Sequence, residues 1–449
     1  MQSTTITIRG RVGLLAIPLL FSLVVALLFY PGFMSYDTLH ALRGARNGVT
    51  DSMWPPMVSY VWRAVDLVSH NPSAMHFSQI FLLLFSIFFI IYFFTKKLSY
   101  ATAFLVLYLS IPAILGTVAV IWKDVLMTAV FLAAIAVIAS MKQVISNRAF
   151  VSLSLLAIFL IFVGSCSRHN AITAATPLLF YLALVVCRRI LKTPLYLCLG
   201  VIFLGLTLTA TVFFTKIQLD HYSLPGFVKM NSSTDDFLQS VRVLDVAGAS
   251  LCVGSNLFSD TAPNLSLAEI ERLYEPKHIN LSAGLLSRVD YNNRINKIWL
   301  NVAAQHPICF FYNKWQLSKY LLGANRGIQF IITAPSVDNN EYGYRLSKSS
   351  YRDSVVTYIV DNSARLFFKP WFLYLISIGV FIYMAWSKAL TLDYSIIFLS
   401  AIFYFASLVM FGNAADARLP FYSTTALLMF AYMSVLELYE AWRYRQSCT

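Results

Sequence analysis

Ten apolar runs, each bare of Asp, Glu, Lys and Arg, punctuate the chain: residues 12–30, 75–94, 98–116, 125–141, 149–164, 172–187, 193–214, 371–386, 394–411 and 419–436. A helix needs about 20 apolar residues to cross a hydrocarbon core roughly 30 Å thick, so these runs predict ten transmembrane helices. Phe29, Tyr30 and Phe33 put bulk where signal cleavage requires small residues, so the first run reads as a retained helix.

The pattern changes between the seventh and eighth runs. Residues 215–370 mix polar clusters such as "DNNEYGYRLSKSSYRDS" with amphipathic stretches. There "LSLAEIERLYE" predicts a short helix with acidic residues toward its start. "RINKIWLNVAAQHPICFFYNKWQLSKYLLG" predicts one or two helices broken at Pro307, with Trp299, Phe310, Phe311 and Trp315 offering a packing face. The connection 31–74 also has internal order. Pro55 and Pro56 suit a helix start, and Val58, Val61, Trp62, Val65 and Val68 recur at helical spacing, which predicts a helix over 56–70 lying along the membrane surface. The expected architecture is an α-helical polytopic membrane protein. Seven spans fill 1–214, a mixed, mainly helical domain fills 215–370, and three spans fill 371–449.

Composition agrees with that pattern. Charged residues are only 12% of the chain, against about 25% in soluble domains. The net charge of +13 does not point to nucleic acid, because the cations fall in alternate connections: Arg9 and Arg11, Lys96 and Lys97, Lys142 and Arg148, Arg188, Arg189 and Lys192, Lys388, then Arg443 and Arg445. That is the positive-inside pattern, and it puts both termini in the cytoplasm. The expected location is a bacterial inner membrane with 215–370 in the periplasm. Cys252 and Cys309 lie in that segment, where an oxidising compartment permits either a disulfide or two buried thiols.

Sorting charges by side leaves a short group in the outer connections, where cations are usually scarce. They are Asp37, Arg43, Arg46 and Asp51 in 31–74, Lys123 and Asp124 in "VIWKDVL", Arg168 and His169 in "GSCSRHNA", and Asp416 and Arg418 in "GNAADARLP". Taken singly, each has a structural reading. Asp37 suits a helix cap, Asp124 a helix-dipole partner, Arg168 a snorkelling cation, and Asp416 with Arg418 a local ion pair. His40, His169, His76 and Gln79 suit structural or packing roles. Taken together, the loops of a helical bundle meet at one rim, and cations beside a carboxylate there describe a site for an anionic head group held next to a base. Glycosyl transfer from a polyprenyl-phosphate sugar uses all three parts. The lipid tail needs the bilayer, the departing phosphate needs cations, and the acceptor hydroxyl needs a base.

With these residues in hand, the chain resembles the GT-C superfamily of integral-membrane glycosyltransferases, which use lipid-linked sugars and keep a catalytic acidic residue in the first outer loop, often with a second in the next. Asp37 in "SYDT" matches the first position and Asp124 in "WKDV" the second, while 56–70 matches a juxtamembrane helix. "DSMWPP", "SRHNA", "LDVAGAS" and "HPICFFYNKWQLSKYLLG" make it similar to uncharacterised bacterial proteins of GT-C type. It also looks like the Gtr-type serotype-converting enzymes that decorate lipopolysaccharide O-antigen. Trp54 stands where such relatives carry histidine before the Pro-Pro pair. The resemblance implies Asp37 as base with Asp124 as second acid. Lys123, Arg168 and Arg418 are expected to hold the donor phosphate by their charge and side. Arg43, Arg46, Asp51, Trp54, His169 and Asp416 are candidates for acceptor or loop contacts.

The expected reaction is an inverting transfer from a polyprenyl-phosphate sugar to an O-antigen, lipopolysaccharide or similar envelope glycan, with a donor synthase and a small flippase as further partners. Asp37, Asp51 and Asp124 could ligate a divalent ion, but no dense acidic motif exists and no metal or other cofactor is expected. The competing readings are an O-antigen polymerase and, further off, a lipid or sugar transporter. A transporter would place charges at mid-membrane and repeat its halves, and this sequence does neither.

Overall fold

The computed structural model describes residues 8–51, 54–222, 224–229, 234–258, 261–289 and 294–447. Ser52 and Met53 of "DSMWPP" lie outside them. The chain is mainly helical, at 74%. Seven described helices are long and apolar enough to cross a membrane: Pro72–Thr95, Lys123–Met141, Asn147–Ser167, His169–Ile190, Pro194–His221, Leu392–Phe411 and Phe421–Gln446. Two shorter apolar helices, Val12–Leu28 and Pro370–Trp386, accompany them. This is a multi-pass membrane protein.

The run 98–116 departs from expectation. It is two helices, Leu98–Ser110 and Pro112–Val118, meeting at 86°. Pro112 has no N–H to continue the ladder, and it forces the preceding Ile111 into an extended conformation (φ −80°, ψ 119°). Long apolar composition hid a break that one proline sets.

Burial orders the bundle. Lys123–Met141 has 89% of its apolar window buried and runs through the middle, whereas Pro194–His221 has 11% and lies at the edge. Leu199, Phe203, Leu206 and Phe214 on that edge helix are exposed. A continuous apolar face of this kind needs an apolar medium, here lipid.

The segment between Pro194–His221 and Pro370–Trp386 sits at one end of the bundle. Its described part carries the helices Thr234–Val253, Leu267–Leu273, Arg294–Gln305, Pro307–Leu321 and Ser350–Asn362. Val243, Val246, Phe258, Ile270, Leu285 and Ile295 close a separate apolar core there. Ser266 and Glu269 form a capping box at the start of the "LSLAEIERLYE" helix, and the chain breaks at His306–Pro307 as the proline requires. Cys252 and Cys309 are joined as a disulfide.

The aromatic face divides. Phe310 packs in the core, while Phe311 and Trp315 are exposed. Trp299 turns its indole N–H to Asp245 Oδ2 at 2.9 Å. A two-residue strand, Val228–Lys229, pairs in parallel with Val49–Thr50 and ties this segment to the first connection. That connection holds two helices, Tyr36–Asn47 and Met57–Asp66. The second is shorter than 56–70, and Val68 lies past its end and exposed.

Candidate functional site

Backbone hydrogen bonds lock the connections together at this end. Phe33 N donates to Ala119 O (3.0 Å), and Ile121 N donates to Phe33 O (3.0 Å). On the other side, Met34 N donates to Ser336 O (2.9 Å) and Asp338 N to Met34 O (3.0 Å). The start of the first connection is therefore clamped between two others. Thr38 Oγ1 donates to Ile121 O (2.9 Å) and Trp122 Nε1 to Ser35 Oγ (2.9 Å), fixing the first turn of Tyr36–Asn47 against the entry to Lys123–Met141. The last connection is held likewise, through Ala415 N to Lys277 O (2.7 Å) and Ala417 N to Phe330 O (2.8 Å).

Charges from four connections converge on that frame. Asp37 Oδ2 receives Arg418 Nη2 at 2.7 Å, and Arg418 Nε also donates to Asp416 Oδ2 at 3.1 Å. The Arg418 guanidinium lies over the Trp122 ring, 4.7 Å from its centroid. Arg168 leaves its helix in an extended conformation and pairs with Asp124, which is fully buried in the first turn of Lys123–Met141. Lys123 is half-buried and within electrostatic reach of Asp37, Asp124, Arg168 and Arg418. Three cations thus face three carboxylates.

Burial alone would raise the Asp37 carboxyl. The Lys123 and Arg418 charges outweigh it and hold Asp37 well below the usual carboxylate range, helped by hydrogen bonds from Arg418 and Trp54. Burial likewise opposes the Arg418 charge, and Asp37, Asp124 and Asp416 more than restore it.

Several polar atoms here find no hydrogen-bond partner among the described residues although they are buried: Asp124 Oδ2, Arg418 Nη1 and Tyr404 Oη; Asp416 Oδ1 has only the His278 imidazole, at 3.9 Å. Each such atom costs about 1–3 kcal/mol of desolvation if left unpaired, so grouping them is expensive unless a polar ligand uses them. Tyr404 is a site residue that the sequence did not reveal. One tyrosine among 25, inside an apolar run, carries no signal. Its place becomes apparent only where its helix packs beside Arg168 and Asp124.

Other expected members lie elsewhere. Arg43 faces Glu341 at 3.4 Å on the exposed surface. Arg46 donates to Asp66 Oδ2 (3.2 Å) and covers the Tyr342 ring at 4.7 Å. Both arginines fasten the first connection to distant segments and do not reach the Asp37–Arg418 cluster. His169 lies half-buried in the turn just after Arg168. His76 and Gln79 are buried, bonded to Val118 O (2.9 Å) and Val120 O (3.3 Å), where they brace the entry to Lys123–Met141. Asp51 pairs with His40 Nε2 at 3.0 Å, so His40 is not a solitary packing residue. Asp51 pairs with His40, Asp124 with Arg168 and Asp37 with Arg418, and no group of three His, Cys, Asp or Glu among the described residues is arranged to hold a metal.

No family model, curated protein or solved structure matches this chain.

Proposed function

We propose that this protein is a GT-C-like, inverting glycosyltransferase that moves a sugar from a polyprenyl-phosphate carrier to an O-antigen, lipopolysaccharide or related envelope glycan at the periplasmic face of a bacterial inner membrane. The observation that carries the reading is the 2.7 Å contact between Asp37 and Arg418, which sets a carboxylate against a cluster of cations at the end of an apolar bundle. The bundle accommodates the lipid tail. Lys123, Arg418 Nη1 and the Tyr404 hydroxyl supply donors for phosphate oxygens, and Arg168 adds charge behind them.

A carboxylate held by Arg418 and Lys123 is a weak base, so the order of events matters. A phosphate monoanion at the cation cluster competes with Asp37 for those two cations. As they turn to the phosphate, Asp37 is released and its basicity rises. The acceptor oxygen then bonds to the anomeric carbon while the anomeric carbon–phosphate oxygen bond breaks. The electron pair leaves on the polyprenyl phosphate, stabilised by the cations, and the hydroxyl proton passes to Asp37. One displacement inverts the anomeric centre. No step uses a metal.

Deleting the gene in its host, with complementation by wild type or Asp37→Asn, tests the reading. Glycan ladders of normal length with an altered side branch, restored by wild type and not by Asp37→Asn at equal protein level, are expected. Lost ladders would identify a polymerase instead, and an unchanged glycan would refute both.

A further inference from the structure

The opposite end of the bundle holds a recess of its own. The central helix Lys123–Met141 starts within electrostatic reach of Asp37. Just past its other end, Lys142 pairs with Asp393, which opens Leu392–Phe411. Beside that pair lies a cavity of about 430 Å³, inside the roughly 300–1,000 Å³ range of ligand pockets. Phe94, Met433 and Leu436 line it with apolar surface, and Asp393, Glu437 and Glu440 line it with carboxylates.

Acid is out of place at this end. The connections here carry the basic pattern, with Lys96, Lys97, Lys142, Arg188, Arg189 and Arg443 among its members. Among the described residues, Asp393, Glu437 and Glu440 are the only acids at this end, and every one of them lines the same cavity. Acids that served only to pair with neighbouring cations would follow those cations around the rim. These gather at one recess instead.

The cations at hand neutralise it in part. Asp393 Oδ1 accepts from both Lys142 Nζ and the Tyr181 hydroxyl. Glu440 Oε1 accepts from both Lys97 Nζ and the Tyr100 hydroxyl. Each carboxylate is therefore engaged through one oxygen, and the second oxygen is left for a ligand. Glu437 accepts from the Tyr394 hydroxyl, while the ion pairs go to the other two acids. Three carboxylates and a single lysine line the cavity, so it is a negative recess within a positive rim.

The complement of that arrangement is a small zwitterion, positive end inward. A primary ammonium brings three N–H donors, and its bonds to carboxylates belong to the strong, charge-assisted class. A phosphate joined to it would meet exposed cations at the rim, Lys97 on the cavity and Arg443 within electrostatic reach of Glu440. We propose that this recess binds a phosphoethanolamine head, with the ammonium on Asp393, Glu437 and Glu440 and the phosphate on Lys97 and Arg443. An ethanolamine phospholipid and free phosphoethanolamine both present that group. The proposal does not rest on the transferase reading, because it uses none of the residues at the other end.

The test uses the full chain in lipid nanodiscs and has two arms. In the first, native mass spectrometry counts the lipids kept from an equal mixture of phosphatidylethanolamine, phosphatidylcholine and phosphatidylglycerol. In the second, phosphoethanolamine is titrated calorimetrically into protein in nanodiscs free of ethanolamine lipid. Wild type should keep phosphatidylethanolamine about tenfold over both other lipids, the weight of hydrogen bonds to a charged group that they cannot make, or it should bind free phosphoethanolamine. The first result makes the lipid the source, and the second the soluble head. If wild type does neither, the proposal is overturned, whatever any variant does. Glu437→Gln leaves the Lys97–Glu440 and Lys142–Asp393 pairs in place and should weaken the binding seen about tenfold. A folded Glu437→Gln protein that binds as wild type does also overturns it.

Discussion

Replacing Arg168 with methionine strips the guanidinium from a carboxylate that has no exposure to water. Asp124 is 0% exposed and Arg168 only 14%, so the pair belongs to the buried class, where removing one partner costs about 3–5 kcal/mol because the other charge stays behind unpaired. Two features bring the figure toward the lower bound. Lys123 and Arg418 both remain within electrostatic reach of Asp124, and Asp124 sits in the first turn of a helix, where the dipole favours an anion. About 3 kcal/mol is therefore expected for Arg168→Met.

Removing both charges is a different perturbation. Arg168→Met with Asp124→Asn leaves no buried ion, and most of the lost stability should return. Reversible unfolding in mixed micelles, titrated with sodium dodecyl sulfate, measures both variants against wild type. If Arg168 holds the donor phosphate, the rescued double variant folds yet transfers about 100-fold or more slowly. Equal stability of Arg168→Met and wild type, or a double variant no more stable than the single one, would refute the buried-pair argument.

Other consequences are simpler to read. Tyr404→Phe removes a buried hydroxyl that has no partner among the described residues, so stability should hold or rise slightly while the donor KM rises about tenfold, the value of one hydrogen bond to a charged group; a lowered stability with unchanged KM would contradict this. Asp37 titrates below its ordinary range in the folded chain, so its ion pair contributes fully above the unfolded carboxylate pKa of about 3.9 and is lost as pH falls through the lower folded value. The stability gap between wild type and Asp37→Asn should accordingly stay level from about pH 5 to 8 and shrink below about pH 4, measured by the same titration. The Cys252–Cys309 bridge spans 57 residues, so its reduction, or Cys252→Ser with Cys309→Ser, should destabilise the 215–370 segment by about 2–4 kcal/mol, seen as faster proteolysis there and unchanged proteolysis in the apolar helices.

The sequence foreshadowed some features of the site better than others, for physical reasons. Apolar runs must be long to cross lipid, so the helices were legible, except where Pro112 divides one. Asp37, Lys123, Arg168 and Arg418 were legible as a set because they fall in the alternate connections that the positive-inside pattern leaves poor in cations. Arg43 and Arg46 share that location and yet serve other ends. Their partners Glu341, Asp66 and Tyr342 include residues far along the chain, and no local pattern announces such a pairing. The His40–Asp51–Trp54 arrangement was hidden for a related cause. His40 lies on the Tyr36–Asn47 helix, whereas Asp51 and Trp54 come after the Val49–Thr50 strand, and their meeting depends on the fold of the whole connection.

Transfer by the purified chain bears most directly on the proposed chemistry. Wild type and Asp37→Asn in nanodiscs are given labelled polyprenyl-phosphate hexose and an acceptor glycan, and the release of polyprenyl phosphate is followed together with label in the glycan. Wild type should turn over. Asp37→Asn, still folded because Arg418 keeps Asp416 as a partner, should be slower by about 100- to 10,000-fold, the usual weight of a general base. An Asp37→Asn protein that transfers at the wild-type rate, or a folded wild type that never cleaves the donor, would contradict the assignment at its root.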